Sequence, residues 1–308
     1  MNQMELSEES LLAALDAWNL SPPLTVKRLP GGFTSDVWCV ETGNGCFIAK
    51  YTEQSQKAFE KGLCAAAVVE QEGIPSGAPL PTKKGELSLM VEGAYEKYQP
   101  LALLRHVPGD PLQFSEPDAA SLYGHLLGHT HRLLLNNFAE KDFFNLNGFL
   151  LQKDEYVTAQ PGLAPLIHQA LEKTRAYEAR HTVTYGVIWA DRMEIVREKE
   201  AGQVGIIDWG AIEWGPLAFD VALSLLWLFP EEGQESHEFL QAYLAVAPIS
   251  AQELQGLPYY EALFWARQAK YFAYRIATGV TLGDASPEGN AWHFTEARQH
   301  LEQFLARL

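Results

Sequence analysis

In the stretch GIIDWGAIEWGPLAFDVA, residues 205–222, an apolar strand-like run ends on an acid, Asp208, which directly precedes a Trp-Gly turn. A carboxylate in this position suits Mg²⁺, because hard cations take oxygen ligands. The same residue type also forms turns and caps helices. The run VALSLLWLF, residues 221–229, is shorter than the roughly 20 residues that span a bilayer, so it is predicted to be a buried core helix.

The sequence that leads up to this acid, TYGVIWADRMEIVREKEAGQV at residues 184–204, is rich in β-forming residues. It reads as two strand-like runs on either side of a charged turn, and the second run continues to Asp208. Val187 stands at the midpoint of the first run. The region either carries a reaction centre or keeps the framework of one whose reactive groups have been replaced.

Near the N-terminus, LPGGFTSDVWCVETGNGCFIAKYT at residues 29–52 holds two strand-like runs around TGNG, which predicts a β-hairpin. Gly31 and Gly32 precede the hairpin, and glycine lets a backbone approach phosphates closely. Paired glycines also occur in ordinary turns. Lys50 ends the second run, where its ammonium could contact the same phosphates or simply reach solvent.

The chain divides by composition into a β-rich part and a helical part. Helical sequence from residue 54 to 72 and further β-rich segments follow the hairpin, and the sequence after Asp118 is mostly helical. These patterns predict a β-rich lobe over residues 1–104 and a larger helical lobe over residues 105–308, with a connector near residues 102–108. No internal repeat is visible.

Charge and cysteine content limit the partners. The formal charge of -16 argues against nucleic acid, whose phosphates require clustered Lys and Arg. It could attract cationic ligands or serve only to keep the protein in solution. Three cysteines without metal-ligand spacing fit a reducing cytosol, so the protein is predicted to be cytoplasmic and to bind no membrane. His125 and His129 stand four residues apart on a predicted helix and could share a metal or remain solvated.

The order of these features resembles that of the aminoglycoside phosphotransferase and choline kinase family. The resemblance runs from LPGGFTSDVW through LALLRHVPGDPL to GIIDWGAIEWGPLAFDVA. It implies an α+β, bilobal protein-kinase-like fold with a small β-rich N-lobe and a larger, mostly helical C-lobe. In such a fold, residues 1–104 would be the nucleotide-binding lobe, and residues 105–308 would be the helical catalytic and acceptor lobe. It also implies ATP or another nucleoside triphosphate as phosphate donor, with Asp208 on the nucleotide's Mg²⁺, Lys50 on the phosphates, and Asp220 bracing the catalytic loop.

The catalytic loop departs from the family pattern. The family carries H-G-D-x-H-x-x-N, in which the aspartate accepts the substrate hydroxyl proton and the asparagine holds metal, whereas residues 185–192 read YGVIWADR. Val187 cannot accept a proton, and Arg192 offers only donors and a positive charge. That charge could replace one cation by pairing with Asp208 or a phosphate. Asp191 or Glu194 is an alternative base.

Two further parts of the family pattern stay open. Glu60 is the nearest candidate for the helix-borne glutamate that pairs with the lysine, although the simplest register places Gly62 there. The run YYEALFWARQAKYFAYR, residues 259–275, combines aromatics with Glu261 and either packs in the core or forms a pocket for a cationic acceptor.

These observations predict an ATP-dependent phosphotransferase-like protein that acts on a small-molecule hydroxyl and is weakened or inactive. A non-catalytic pseudokinase that binds nucleotide or metabolite is the alternative, and a structural or partner-binding protein is a third. Neither the acceptor nor the oligomeric state can be read from the sequence.

Overall fold

The computed structural model describes residues 6–22, 24–30, 35–92, 98–200, 202–210, 212–279 and 286–308. The described helices are α1 (Glu8–Leu15), α2 (Gln56–Gln71), α3 (Ala119–Asn137), α4 (Gly148–Leu151), α5 (Glu155–Thr158), α6 (Leu163–Glu178), α7 (Ala218–Leu228), α8 (Gln234–Val246), α9 (Leu257–Thr278) and α10 (Pro287–Arg307). The described strands are β1 (Thr25–Arg28), β2 (Ser35–Thr42), β3 (Gly45–Thr52), β4 (Pro79–Leu80), β5 (Leu89–Glu92), β6 (Tyr98–Arg105), β7 (Asp110–Pro111), β8 (Tyr185–Ile188), β9 (Glu194–Arg197), β10 (Val204–Ile207) and β11 (Glu213–Pro216).

The chain forms two compact units. The first contains the described residues up to Pro111 together with Glu194–Gly210, and the second contains Leu112–Met193 and the rest of the described residues. Each unit is therefore assembled from segments that are distant in sequence. The contiguous division into residues 1–104 and 105–308 stays a prediction.

An antiparallel sheet dominates the first unit. Its strands follow the order β1-β2-β3-β6-β4, and β5 pairs with β6. Thr42 pairs with Gly45, which confirms the hairpin predicted from the TGNG sequence. The unit also contains a smaller sheet in the order β10-β9-β7.

Alternation along β2 and β3 gives the larger sheet a buried face. Trp38 and Val40 of β2 join Ala49 and Tyr51 of β3 in a hydrophobic core with α1. Because successive residues of a strand point to opposite faces, Lys50 lies on the face away from this core. That orientation makes its ammonium available for a polar partner.

The second unit is mostly helical, which matches the prediction for the C-terminal part. Helix α3 packs on α8, and α9 packs on α6, α7 and α10. Phe219, Val221 and Leu223 of α7 are fully or almost fully buried, which confirms the predicted core helix. No helix of the described residues is long and apolar enough to cross a bilayer.

The stretch at residues 184–208, predicted as two strand-like runs, contains three strands in the structure because it is interrupted after β8. Its first part, β8, pairs with β11, and its second part, β9, pairs with β10 and β7. The interruption lies where Ala190 adopts a left-handed backbone conformation with φ 55°. A left-handed residue cannot continue a strand, so the chain changes direction there. The α+β fold class, with strands concentrated in the first unit and helices in the second, is confirmed.

Candidate functional site

Lys50 and Asp208 of the first unit form an ion pair. Lys50 Nζ lies 2.7 Å from Asp208 Oδ1, and their side chains are 13% and 58% exposed, respectively. Lys50 reaches this position from the polar face of β3, whereas Asp208 follows the end of β10. The structure thus brings together two of the residues that the sequence singles out, 158 positions apart in the chain.

The backbone and protonation state of Asp208 suit an exposed carboxylate ligand. Its φ of 60° is left-handed, a conformation that Asp adopts more readily than most residues. The positive charge of Lys50 lowers the pKa of the Asp208 carboxyl below its usual value, against the opposing effect of burial, and hydrogen bonds from Lys50 and the Gly210 N–H lower it further. Asp208 is therefore ionised at neutral pH and available to a cation.

The turn that follows Asp208 is held by two hydrogen bonds from elsewhere in the first unit. Gln54 Nε2 donates to the Gly210 carbonyl at 2.5 Å. The buried indole of Trp209 donates through Nε1 to the Ser76 carbonyl at 2.9 Å. These contacts fix the backbone on the C-terminal side of Asp208, so its carboxylate is presented from a rigid turn.

Helix α2 lies directly against this turn at Gly62. A Cβ atom at position 62 would overlap the Trp209 carbonyl oxygen, so only glycine permits this approach. The contact explains why position 62 carries no glutamate: any side chain would push the helix away from the turn. The simplest register places Gly62 at the position of the family's glutamate, and the close packing of α2 on this turn requires glycine there.

Glu60 has other partners in the structure. Its Oε1 accepts from Ser88 Oγ at 2.7 Å and from Gln56 Nε2 at 3.0 Å. Lys50 donates to Asp208 instead. A role for Glu60 in nucleotide binding stays a prediction. Gly31 and Gly32 lie outside the described residues, so their predicted contact with phosphates stays a prediction as well.

We expect Gly62→Ala to destabilise the protein by about 2 kcal/mol, because the added methyl group forces α2 and the Trp209 backbone apart in a packed region. An alanine inside a helix would otherwise stabilise it by roughly 1 kcal/mol relative to glycine. Urea unfolding measures the difference. The control is Gly148→Ala at the start of α4, where a Cβ meets nothing within 4 Å. A Gly62→Ala variant at least as stable as the parent would contradict the close approach.

In the second unit, Asp220 holds the segment that follows β8. Its Oδ2 accepts from the Trp189 N–H at 2.8 Å and its Oδ1 from the Ala190 N–H at 3.2 Å. Asp220 is itself 2% exposed. Its carboxylate therefore fixes the left-handed turn at Ala190, in agreement with the bracing role that the family resemblance implies.

A buried histidine extends this network. His131 of α3 is fully buried, with Nε2 donating to Asp220 Oδ2 at 3.2 Å and Nδ1 lying 3.0 Å from the Tyr243 hydroxyl. The two histidines that stand out in the sequence, His125 and His129, were expected either to share a metal or to remain solvated. Both are exposed, and their ring centroids are 6.2 Å apart. The position of His131 on the apolar side of α3 is the sequence signal that distinguishes it, as a buried histidine, from His125 and His129.

Val187 is fully buried on β8, where it pairs with Trp214 of β11. Asp191 and Arg192 are exposed in the following turn, and Asp191 Oδ1 accepts from the Arg192 N–H at 2.7 Å. Glu194 belongs to the first unit and is half-buried on β9. The roles of these residues as base, substitute base or cation stay predictions.

The run at residues 259–275 mostly packs in the core of the second unit. Tyr260, Phe264 and Trp265 are 1%, 1% and 5% exposed. Burial raises the pKa of Glu261 to about 7, against the opposing charge of Arg307. Much of the aromatic surface of α9 is therefore already used in packing. Glu261 carries less negative charge at neutral pH than an exposed glutamate, because its pKa is raised.

No group of three or more His, Cys, Asp and Glu side chains in the described part of the chain is arranged to hold a metal ion. Mg²⁺ in nucleotide sites is commonly held by one or two carboxylates together with the phosphates and water. The exposed carboxylate of Asp208 fits that kind of site.

Residues 25–260, more than half of the chain, match the model of the phosphotransferase enzyme family. No curated protein sequence shows significant similarity to the chain.

Several solved kinases share the fold. The microcompartment-associated aminopropanol kinase has a TM-score of 0.73 at 14% identity, with 98% of each chain covered. Amicoumacin kinase hAmiN, in complex with AMP-PNP, Ca²⁺ and Ami, has a TM-score of 0.70 at 14% identity over 97% of this chain and 94% of that one. Choline kinase LicA from Streptococcus pneumoniae has a TM-score of 0.65 at 14% identity, with 98% and 99% covered. These likenesses confirm the predicted kinase-like fold.

Proposed function

Because this chain belongs to the phosphotransferase enzyme family, we propose that it binds ATP or another nucleoside triphosphate and transfers its phosphoryl group weakly or not at all to a small-molecule hydroxyl. The observation that supports nucleotide binding is the Lys50–Asp208 ion pair, with 2.7 Å between Nζ and Oδ1. The pair combines a cation for phosphate with a half-exposed carboxylate for Mg²⁺.

Each member of the pair has a separate role in this proposal. The Lys50 ammonium donates hydrogen bonds to phosphate oxygens, as a compact charge with three donors can. Asp208 ligates the nucleotide's Mg²⁺, and when bound this ion supplies the positive charge that phosphoryl transfer requires. Lys50 and Asp208 neutralise each other in the structure. A bound phosphate would redirect the ammonium, and the freed carboxylate would take the metal.

The weakness of transfer follows from the residues at the catalytic loop positions. A positioned base contributes about 10² to 10⁴ in rate, and the fully buried Val187 can neither accept a proton nor orient a hydroxyl. Arg192 cannot ligate Mg²⁺ because a guanidinium has no acceptor. Asp191 is exposed in the same turn and is the substitute base if transfer occurs.

The proposed acceptor is a small molecule with a hydroxyl group, and the formal charge of -16 favours one that is cationic. Within this proposal, weak transfer and a non-catalytic nucleotide-binding protein differ only in whether ATP is consumed. ATP consumption measured against a panel of amines, sugars and alcohols separates the two, since a non-catalytic protein consumes no ATP with any of them. A structural or partner-binding protein would have no nucleotide affinity.

We expect Lys50→Ala to weaken ATP and ADP binding by about 10- to 100-fold, because the loss of a charge-assisted hydrogen bond costs about 1.5–3 kcal/mol. Isothermal titration calorimetry, with and without Mg²⁺, measures the change. Lys27→Ala is the matched control, since Lys27 is exposed on β1 of the same sheet. Folded protein that binds neither nucleotide at millimolar concentration would refute the proposal, and equal losses in the two variants would refute the role of Lys50.

A further inference from the structure

Two thiols lie in contact across the β2–β3 hairpin. The Sγ atoms of Cys39 and Cys46 are 2.9 Å apart. Cys39 pairs with Ile48 in the register, and Cys46 pairs with Glu41. The two cysteines are therefore diagonal neighbours on one face of the sheet. This placement keeps their side chains together in every molecule that forms the hairpin.

The surroundings leave the pair within reach of small molecules. Both cysteines are half-buried, and both are free thiols in the structure. The predicted two-residue turn and the continuous ladder from Ser35 to Thr52 hold the two strands in one register. Diagonal cross-strand neighbours have Cα atoms roughly 7–8 Å apart, slightly above the range of about 4.4–6.8 Å that disulfides accept. Because the two sulfurs are already in contact, a bond requires a small shift of the backbone together with the side chains.

We propose that Cys39 and Cys46 form a reversible intramolecular disulfide when the protein meets hydrogen peroxide. In the first step, the thiolate of one cysteine attacks one oxygen of hydrogen peroxide, which breaks the O–O bond and gives a sulfenic acid and hydroxide. The hydroxide takes up the proton that the thiol released and leaves as water. In the second step, the sulfur of the other cysteine attacks the sulfenic sulfur, loses its proton and releases a second water. Two thiols and one hydrogen peroxide thus give one disulfide and two waters.

The structure also indicates the order of the two sulfurs. Burial raises the pKa of the Cys46 thiol to about 12, with further contributions from the adjacent Cys39 and from Glu41. Because the thiolate is the nucleophile, Cys46 is a poor first attacker at neutral pH. Lys27 of β1 is paired with Cys39, whereas Glu41 is paired with Cys46, and a neighbouring cation favours a thiolate while a carboxylate disfavours it. Cys39 is therefore the sulfur that is oxidised first, and Cys46 is the one that resolves the sulfenic acid.

The disulfide would form on the face of the larger sheet that also carries Lys50. Cys39, Cys46 and Lys50 share the face that points away from the hydrophobic core, since they are separated by even numbers of positions in the register. A covalent link at this point would hold the end of the hairpin on the same face as Lys50. The proposal does not depend on nucleotide binding.

The test is oxidation of the intact protein with hydrogen peroxide at neutral pH, followed by thiol counting and peptide mapping by mass spectrometry. We expect the number of reactive thiols to fall from three to one, the mass to fall by two hydrogen atoms, and the Cys39 and Cys46 peptides to become linked. Dithiothreitol should restore all three thiols. The Cys64→Ser variant should form the same link, because Cys64 lies on α2, apart from the pair.

Each other outcome of the mapping would overturn the proposal. Such outcomes are three thiols that persist after treatment, a link that involves Cys64 or a second molecule, and sulfinic acid at Cys39 without a link. Cys39→Ser should abolish the link, whereas Cys46→Ser should let sulfenic acid accumulate at Cys39, where a dimedone probe traps it. If the probe traps Cys46 in the Cys39→Ser variant as fast as it traps Cys39 in the Cys46→Ser variant, the proposed order of the two sulfurs is wrong.

Discussion

The double variant Val187→Asp with Arg192→Asn should transfer or hydrolyse the ATP phosphoryl group at least about 10²-fold faster than the parent protein. The aspartate restores a proton acceptor for the hydroxyl, and the asparagine restores an oxygen ligand for Mg²⁺. Each single variant should gain much less, because residues that act as a unit are strongly non-additive. ATP consumption with a panel of amines, sugars and alcohols measures the rate.

Folding must be checked first, because position 187 is fully buried on β8. A carboxylate at an apolar site is costly unless a metal or hydrogen bond receives it. Val187→Asn, which has nearly the same volume and no charge, is the matched control: it should share the loss of stability but not the gain in rate. A folded double variant that is inert across the panel would show that the surrounding residues no longer support transfer.

Rapid ATP turnover by the parent protein would contradict the prediction that its catalytic loop supports little or no phosphoryl transfer. It would assign the base to Asp191 or Glu194, and Asp191→Asn and Glu194→Gln would then identify which of them acts. Asp191 is the first to test because it is exposed in the turn after β8, whereas Glu194 lies on β9.

The sequence predicts those parts of the fold that depend on interactions between residues close together in the chain. The TGNG turn sets the hairpin register, and Ser7 caps α1 by accepting from the Ser10 N–H, as serine commonly does at a helix start. The alternation of residues 37–51 also places Lys50 on the polar face of β3. In each case the cause lies within a few residues of its effect, so the pattern in the sequence is sufficient.

The features that the sequence did not predict depend on partners far along the chain. The break between β8 and β9 arises from a left-handed Ala190 whose N–H is held by a carboxylate 30 positions away. The contact of Gly62 with the Trp209 carbonyl joins α2 to the turn after β10. Periodicity cannot reveal either, because both depend on tertiary packing. The sequence pattern identifies Asp208 and Lys50 individually, but only the structure shows that they form an ion pair.

Asp220→Asn should lower the free energy of unfolding by about 3 kcal/mol, the cost of disrupting a buried, charged hydrogen-bond network. The carboxylate accepts from the N–H groups of Trp189 and Ala190 with its two oxygens. An amide has only one acceptor oxygen, so its NH₂ group would face one of these donors and leave it unsatisfied. The imidazole of His131 would also lose its negatively charged partner.

Urea unfolding measures the loss, and hydrogen exchange locates it. The amides of Trp189 and Ala190 should exchange faster in Asp220→Asn, while protection in β2 and β3 of the first unit stays unchanged. Asp16→Asn is the control for removing one negative charge, because Asp16 is exposed at the end of α1. If Asp220→Asn unfolds at the same urea concentration as Asp16→Asn, the carboxylate does not hold the turn at Ala190. If stability falls but the two amides stay protected, Asp220 supports the helical core through His131 rather than through the loop.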